Sequence, residues 1–172
     1  MTSGGMGTMG YGLPAAIGAK LADPKREVLA ICGDGGIQMN IQELATAVIY
    51  ELPIIICVMN NGYLGNVRQW QELFYGRRYA GTCMRQQKSR AWTCGTETEY
   101  TPDFVRLAES YGARGYRVKR QEEVREVLLS GKEETRVPTL LEFIIWEEEN
   151  VLPIVPPGKP LWDMITGMHE RD

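Results

Sequence analysis

Two short polar clusters contain the residues of this chain with the clearest potential for chemistry. Gly33-Asp34-Gly35 and Asn60-Asn61 are separated by 24 residues, and each cluster directly follows an apolar, largely β-branched run. A carboxylate and a carboxamide oxygen among glycines can hold a hard divalent cation together with a diphosphate. The two clusters therefore predict a metal–diphosphate cofactor site.

The apolar runs in front of the two clusters, at 28–32 and 54–59, predict strands that are buried on both faces, as in a parallel sheet. Open α/β sheets bind ligands beyond the carboxyl ends of such strands. Further strands are predicted at 116–118 and 139–146, and the helical patterns lie at 14–21, 40–50, 66–74, 102–111 and 122–129. This alternation predicts an α/β fold with three layers, in which helices flank a parallel β-sheet.

The second predicted helix has a capping signature at its start. Asn40-Ile41-Gln42-Glu43 is typical of a capping box, with Asn40 as the cap and Glu43 reaching back to it. Glu43 is a conceivable catalytic acid, but the capping role explains it sufficiently. We therefore expect Glu43 to be structural.

Composition limits the classes of function. The 172 residues suit a single domain spanning 1–172, and 44% hydrophobic and 24% charged residues are typical of a soluble globular protein. A net charge of -3 with interspersed signs gives no basic surface for nucleic acid. No apolar run approaches the roughly 18 residues of a membrane span, and the first residues do not resemble a signal peptide. We expect neither a nucleic-acid nor a membrane partner, and a cytoplasmic location.

Cysteine and histidine offer little for catalysis or metal binding. Cys32 and Cys57 lie in predicted strands, where a free thiol behaves as a small hydrophobe, whereas Cys83 and Cys94 lie in a polar segment and could pair. Cys83 and Cys94, with no histidine nearby, are too few for a zinc site. The single histidine, His169, lies near the C-terminus, so histidine acid/base chemistry is not expected. The segment 76–101 is a long loop, which predicts a functional or mobile region.

Taken alone, the two clusters have ordinary alternatives. Gly-Asp-Gly also occurs in simple turns, and Asn-Asn-Gly is a good turn sequence. A dinucleotide site is disfavoured, because the chain has no glycine fingerprint followed by an acidic residue at the end of the next strand. A phosphate-binding loop with its lysine is also missing.

The wider sequence resembles a known family. Gly33-Asp34-Gly35 with Asn60-Asn61 resembles the cofactor motif of the thiamine-diphosphate-dependent carboligases and decarboxylases. Four further segments are similar to acetohydroxyacid synthase, also called acetolactate synthase: 2–16, 38–44, 67–70 and 151–156. The resemblance covers nearly the whole chain apart from the segment around 83–100. It corresponds to the C-terminal third of the catalytic subunit, which implies the thiamine-diphosphate-binding fold.

The resemblance implies roles for individual residues. The magnesium ligands would be Asp34, Asn61 and the carbonyl of Tyr63. The residues lining the diphosphate would be Gly35, Gly36, Leu64 and Gly65. Met9 would lie beneath the cofactor and force it into its bent form, and backbone at Gly7 and Met9 would hold the aminopyrimidine. Trp70 would flank the substrate pocket and favour 2-ketobutyrate as the second substrate.

Some of these roles have plainer alternatives, and two positions depart from the family pattern. Met9 is also explained as core filler, and Trp70 as helix packing. Gly36 stands where the family commonly has a serine, and Asn66 replaces a common methionine. The resemblance therefore supports the roles in the cofactor site more strongly than those in the substrate pocket.

The resemblance also implies that part of the active site lies elsewhere. In the family, the glutamate that activates the cofactor belongs to the N-terminal domain of the neighbouring subunit, and a middle domain binds FAD in many members. We therefore expect the isolated chain to be inactive, to require that domain or a partner subunit, and to form homo-oligomers through an exposed apolar face.

The implied reaction condenses pyruvate with a second 2-keto acid after decarboxylation, in branched-chain amino acid biosynthesis. Another thiamine-dependent carboligase or decarboxylase, such as glyoxylate carboligase, is an alternative within the same class. A non-catalytic cofactor-binding or scaffold module is an alternative from a different class.

Overall fold

The computed structural model describes residues 1–85 and 102–167. The helices are α1 Gly12–Ala22, α2 Asp34–Gln38, α3 Glu43–Ile49, α4 Gly65–Phe74, α5 Phe104–Ser110 and α6 Val124–Glu133. The strands are β1 Leu29–Gly33, β2 Ile55–Asn60, β3 Arg114–Val118 and β4 Thr139–Ile144. Short 3-10 helices lie at Gln121–Glu123 and Leu161–Asp163.

The four strands form one parallel sheet in the order β1-β2-β4-β3. In the register of β1 and β2, Gly33 lies opposite Met59, so the two strands end side by side. In the register of β2 and β4, Asn60 lies opposite Ile144. The segments that follow β1 and β2 therefore leave the sheet at the same edge.

Helices cover both faces of this sheet. On one face α1, α3 and α5 bury the larger core, which includes Leu13, Leu44, Phe104, Ile56 and Leu140. On the other face α6 packs through Val124, Val127 and Leu128 against residues of β2 and β4, among them Cys57, Leu141 and Phe143. The predicted three-layer α/β fold with a parallel sheet is confirmed.

The strand β1 differs from the prediction in its burial. Ala30 and Cys32 are buried, but Leu29 is 48% exposed and Ile31 is 67% exposed. The expectation that this strand is buried on both faces is therefore wrong for the described chain, because α6 packs over the centre of the sheet. The strand β2 meets the expectation, since Ile55 to Val58 are all buried.

The predicted capping box is also wrong. The helix α3 begins only at Glu43, and Gln42 in the cap position makes no side-chain capping bond. The side chain of Asn40 instead donates a hydrogen bond to the Gly10 carbonyl at 2.8 Å. Glu43 accepts a hydrogen bond from the Thr46 hydroxyl at 2.7 Å. Both side chains therefore have other partners than each other's backbone N–H groups, which a capping box would require.

Several elements have different boundaries from those predicted. The five-residue helix α2 directly after β1 was not predicted. The helix α5 begins after Asp103, whose side chain accepts a hydrogen bond from the backbone of Arg106 at 3.2 Å. The last strand ends at Ile144 rather than at residue 146.

The buried cysteines behave as small apolar residues. Cys32 and Cys57 are free thiols in the sheet. Burial, together with the neighbouring Cys32 thiol, raises the pKa of Cys57 to about 11, so it stays neutral near pH 7.

Cys94, His169 and residues 86–101 lie outside the described residues, so a Cys83–Cys94 pairing stays a prediction. No helix in the described ranges has the length and apolarity to cross a membrane. The extent of a single domain over 1–172 also stays a prediction.

Candidate functional site

The two polar clusters meet at the carboxyl edge of the sheet. Asp34 directly follows β1, and the loop that contains Asn61 and Gly62 directly follows β2. The backbone N–H of Gly62 donates a hydrogen bond to Oδ2 of Asp34 at 2.8 Å. The two clusters that the sequence singled out are therefore in direct contact.

Asp34 is a buried carboxylate held by backbone groups. The residue is 2% exposed, and its Oδ1 accepts a hydrogen bond from the N–H of Gly35 at 2.9 Å. Burial raises the pKa of Asp34, and backbone N–H groups of Gly62, Gly35 and Asn61 act in the opposite direction. A buried carboxylate with a raised pKa is a group that gains from a nearby cation.

The neighbouring asparagines of the second cluster have different partners. Oδ1 of Asn61 accepts a hydrogen bond from the N–H of Tyr63 at 3.1 Å, which closes a tight local turn. Oδ1 of Asn60 accepts from the N–H of Gly62 at 3.1 Å, and its Nδ2 donates to Glu142 at 2.7 Å. The side chain of Asn61 thus bonds within the loop, whereas that of Asn60 connects the loop to strand β4.

A short antiparallel pairing supports the second loop from the side. The N–H of Leu64 donates to the carbonyl of Thr82 at 2.8 Å, and the N–H of Met84 donates to the carbonyl of Gly62 at 2.9 Å. Tyr63 and Cys83 form the bridge between these two bonds. The sequence analysis missed this support, because residues 82–84 lie in a segment without a strand pattern.

A groove of about 870 Å³ runs along β1 and reaches the carboxyl edge of the sheet. It is bounded by the N-terminal glycine-rich segment, α1, β1, α2 and the start of α4. Eight of the predicted site residues line it: Gly7, Met9, Asp34, Gly35, Gly36, Tyr63, Leu64 and Gly65. The structure therefore brings to one cavity two of the three predicted metal ligands, Asp34 and Tyr63, together with the residues predicted at the diphosphate and the aminopyrimidine.

Two predicted site residues do not line the groove. One is Asn61, whose Nδ2 is 2.9 Å from the position that a Cβ on the groove-lining Gly65 would occupy. Trp70 lies on α4 and is 42% exposed, one turn beyond the groove-lining Val67. Its role beside a substrate stays a prediction.

Two consecutive glycines make unequal demands on space. A Cβ on Gly35 would lie 2.5 Å from Cδ2 of Leu64 and 3.4 Å from Cε of Met9, so a larger residue here would require the Leu64 side chain to move. A Cβ on Gly36 would meet nothing within 4 Å. A serine at position 36, which the family commonly has, would therefore fit here, and space alone does not explain the glycine.

The helix α4 attaches the loop to the C-terminal segment. The Arg68 guanidinium lies over the Tyr63 ring, 5.1 Å from its centroid, and forms an ion pair with Glu148. The buried side chain of Gln69 makes two hydrogen bonds with the backbone of Val151, at 2.8 Å and 3.0 Å. Sequence reasoning missed both contacts, although the segments 67–70 and 151–156 are among those that carry the family resemblance.

The oxygen atoms at this site suit magnesium better than a transition metal. Among residues 1–85 and 102–167, no group of three or more His, Cys, Asp and Glu side chains could hold a metal ion. Magnesium needs only one or two carboxylates, because it shares its coordination shell with phosphate oxygens and water. One carboxylate, one carboxamide and a backbone carbonyl beside a groove fit that requirement.

The chain is similar in sequence to a family of known proteins. Residues 1–143 match the family described as the thiamine pyrophosphate enzyme, C-terminal TPP binding domain. The chain belongs to this family.

Relatives of this TPP-binding domain are large enzyme subunits. It is 46% identical over 158 residues to the acetolactate synthase large subunit of Corynebacterium glutamicum, a match that covers 92% of the chain and 24% of the relative. It is 42% identical over 173 residues to the probable acetolactate synthase large subunit of Methanococcus aeolicus, covering 99% of the chain and 26% of the relative. The chain thus spans about a quarter of the length of the curated relatives it matches.

A solved structure has the same fold. The thiamine diphosphate-dependent 4-hydroxybenzoylformate decarboxylase of Rhodococcus jostii superposes with a TM-score of 0.67 at 32% sequence identity. The match covers 82% of this chain and 24% of that chain. The family resemblance that the sequence indicated is confirmed.

Proposed function

We propose that this TPP-binding domain holds thiamine diphosphate through a magnesium ion bound by Asp34, Asn61 and the carbonyl of Tyr63. The hydrogen bond between the N–H of Gly62 and Asp34, at 2.8 Å, is the observation that carries the proposal, because it joins the two loops into one wall. The cation would be a positively charged partner for the buried carboxylate of Asp34. Gly35, Gly36, Leu64 and Gly65 would line the diphosphate.

Residues of the N-terminal glycine-rich segment would hold the aromatic part of the cofactor. Met9 is 45% exposed in the groove, and its Cε lies 3.4 Å from the position of a Cβ on Gly35. This placement supports a role beneath the cofactor rather than in the core. Backbone at Gly7 and Met9 would contact the aminopyrimidine. Thiamine diphosphate, when bound, would supply an acidic carbon that loses its proton and then adds to the keto group of a 2-keto acid.

We further propose that the full activity is that of an acetolactate synthase, a thiamine-dependent carboligase and transferase that condenses pyruvate with a second 2-keto acid. Identity to acetolactate synthase subunits is 46% and 42% in the two relatives above, against 32% to the decarboxylase, which favours the synthase. Trp70 would flank the substrate. FAD, where the full-length enzyme uses it, would bind outside this domain.

The chain alone would lack the activating glutamate and would act together with a second domain or subunit. The exposed Leu29 and Ile31 on the uncovered face of β1 support such a partner, since neighbouring apolar side chains on one face favour association. An inactive isolated chain, a homo-oligomer and a cytoplasmic location belong to this proposal.

Titration calorimetry of thiamine diphosphate with Mg²⁺ tests the cofactor assignment. We expect Asp34→Ala and Asn61→Ala each to weaken Mg²⁺-dependent binding about a hundredfold, because each removes a ligand oxygen. Asp163→Asn, at an exposed carboxylate on the surface, is the matched control and should bind as the unsubstituted chain does. Binding that persists unchanged in both alanine variants would refute the metal site.

A complementation assay tests the reaction. Acetolactate formation from pyruvate is measured with the chain alone and after addition of the N-terminal portion of an acetolactate synthase large subunit. We expect product only in the mixture, and none in the mixture that contains Asp34→Ala. Product from the chain alone would contradict the shared active site, and cofactor binding without product in any mixture would favour a non-catalytic binding module.

A further inference from the structure

A buried polar chain lies directly behind the candidate cation loop. Glu142, in the middle of β4, is 1% exposed. Its Oε1 accepts a hydrogen bond from Nδ2 of Asn60 at 2.7 Å, and its Oε2 accepts from Nε of Arg117 at 2.6 Å. Arg117 also donates to Asp103 at 2.9 Å. The carboxylate of Glu142 thus accepts hydrogen bonds from donors on two sides.

The contact with Glu142 fixes the orientation of the Asn60 amide. With Nδ2 directed at the carboxylate, Oδ1 of Asn60 faces the loop and accepts the N–H of Gly62 at 3.1 Å. A flipped amide would place its carbonyl against the carboxylate and its NH₂ against the N–H of Gly62, and both contacts would be repulsive. Glu142 therefore determines which atom of Asn60 faces the loop.

The N–H of Gly62 connects this arrangement to the candidate ligands. It is shared between Oδ1 of Asn60 at 3.1 Å and Oδ2 of Asp34 at 2.8 Å. Gly62 also follows Asn61 directly in the chain. A change in the direction of this N–H would move the Asp34 carboxylate and the Asn61 backbone together.

We propose that Glu142 is a positioning residue for the cation site, acting through Asn60 and the N–H of Gly62. The inference rests on the proposed magnesium site, which it deepens by adding a residue that touches neither cation nor cofactor. Groups that orient metal ligands from behind commonly change metal affinity about 10- to 100-fold when they are removed.

The chemistry of Glu142 explains why a carboxylate is needed. Two donors, Nδ2 of Asn60 and Nε of Arg117, approach its two oxygens. A carboxylate offers an oxygen to each donor, whereas a carboxamide offers one oxygen and one NH₂. In Glu142→Gln the permanent charge of Arg117 would take the oxygen, and the NH₂ would face Asn60.

The experiment compares Glu142→Gln with the unsubstituted chain by two measurements. Amide hydrogen exchange of Gly62, followed by NMR without cofactor, reports the hydrogen bonds of its N–H. Calorimetry with thiamine diphosphate and Mg²⁺ reports the affinity of the site. We expect about tenfold faster exchange at Gly62 and about tenfold weaker Mg²⁺-dependent binding.

Two further variants separate positioning from stability. Arg117→Gln removes the charge partner of Glu142 but leaves its contact with Asn60, so it should lower the free energy of unfolding without changing either measurement. In the double variant Glu142→Gln/Arg117→Gln, the glutamine at 142 is free to turn its oxygen toward Asn60. We expect the double variant to recover the Gly62 protection and the affinity that the single Glu142→Gln variant loses.

The outcomes distinguish this inference from the function on which it rests. Glu142→Gln with normal Gly62 exchange and normal affinity, but reduced stability, would show a merely structural role and overturn the inference alone. A double variant no better than Glu142→Gln would overturn it too. Failure of the unsubstituted chain to bind Mg²⁺ and thiamine diphosphate through Asp34 would overturn the proposed function itself.

A second substitution at position 142 keeps the test decisive if Glu142→Gln misfolds. Glu142→Asp keeps the charge for Arg117 but withdraws the carboxylate from Asn60 by one methylene. It should show the same two losses, and unchanged Gly62 exchange and affinity in this variant would likewise overturn the inference.

Discussion

The loop after β1 and the loop after β2 lie side by side at one edge of the sheet, yet they are stabilised differently. In the first loop, Asp34 starts the helix α2 at once and bonds to the N–H of its neighbour Gly35. In the second loop, Asn60 depends on Glu142, which is 82 residues away in sequence. The first loop therefore depends mainly on local hydrogen bonds, whereas the second combines local hydrogen bonds with contacts to distant side chains and strands.

This difference implies that the two loops respond to different substitutions. The first loop should be sensitive to changes within itself, because its hydrogen bonds span one residue or four, apart from the bond that Asp34 accepts from the N–H of Gly62. The second loop should be sensitive to changes in β4 and in residues 82–85. Paired substitutions of similar chemistry can test this contrast, from larger effects to smaller ones.

The largest effect is expected at Gly62, in the second loop. Gly62 has φ of 72°, and a Cβ there would lie 2.8 Å from Nε of Arg85. Gly62→Ala should therefore cost about 3 kcal/mol in free energy of unfolding, from left-handed backbone strain and displacement of Arg85. Gly76→Ala is the control, since Gly76 has φ of 59° but a Cβ would meet nothing within 4 Å.

Urea unfolding of both variants checks this prediction. We expect Gly76→Ala to lose only about 1 kcal/mol, the cost of backbone strain alone. Equal losses at the two glycines would show that Arg85 contributes nothing to the second loop, and the contrast between the loops would be weaker than proposed.

A smaller effect is expected at Gly35, where the two loops touch. A methyl group there would press on Cδ2 of Leu64 at 2.5 Å and on Sδ of Met84 at 3.2 Å, so Gly35→Ala should cost about 2 kcal/mol. The adjacent Gly36→Ala should stabilise the chain by about 0.5 kcal/mol, because a Cβ there has open space within α2. Thermal unfolding of the two variants measures both values, and a neutral Gly35→Ala would mean that Leu64 moves aside freely.

The smallest effect concerns the link from the end of α2 to the N-terminal segment. Asn40→Ala removes the 2.8 Å hydrogen bond to the Gly10 carbonyl and should cost about 1 kcal/mol. Glu43→Ala removes only the local contact with Thr46 and should cost about 0.3 kcal/mol. A larger loss for Glu43→Ala in denaturant titrations would instead support the capping box that the structure contradicts.

The sequence predicted the central strands well because their signal is local. The run at 54–59 is apolar throughout, and β2 is buried in the structure as expected. The same reasoning failed for β1, since a run of apolar residues does not reveal which helix will cover each face. Leu29 and Ile31 are exposed because α6 packs on other strands of the sheet.

Local patterns also failed at the shorter elements. The helix α2 has five residues, two of them glycine, so it carries neither helical periodicity nor strong helix propensity. The pairing of residues 82–84 with the second loop has no sequence signature, because it depends on where α4 and the chain beyond it turn back.

For the candidate site, residue type and position at a strand end were sufficient to single out Asp34 and the Asn60-Asn61 pair from the sequence alone. Parallel strands place their carboxyl ends together, which made contact between the two clusters predictable. Only the tertiary structure decided that the side chain of Asn61 bonds within its own loop, to the N–H of Tyr63, while that of Asn60 bonds to Glu142 in β4. The orientation of an amide depends on partners that the fold brings from distant parts of the chain, and the sequence around Asn60 does not specify them.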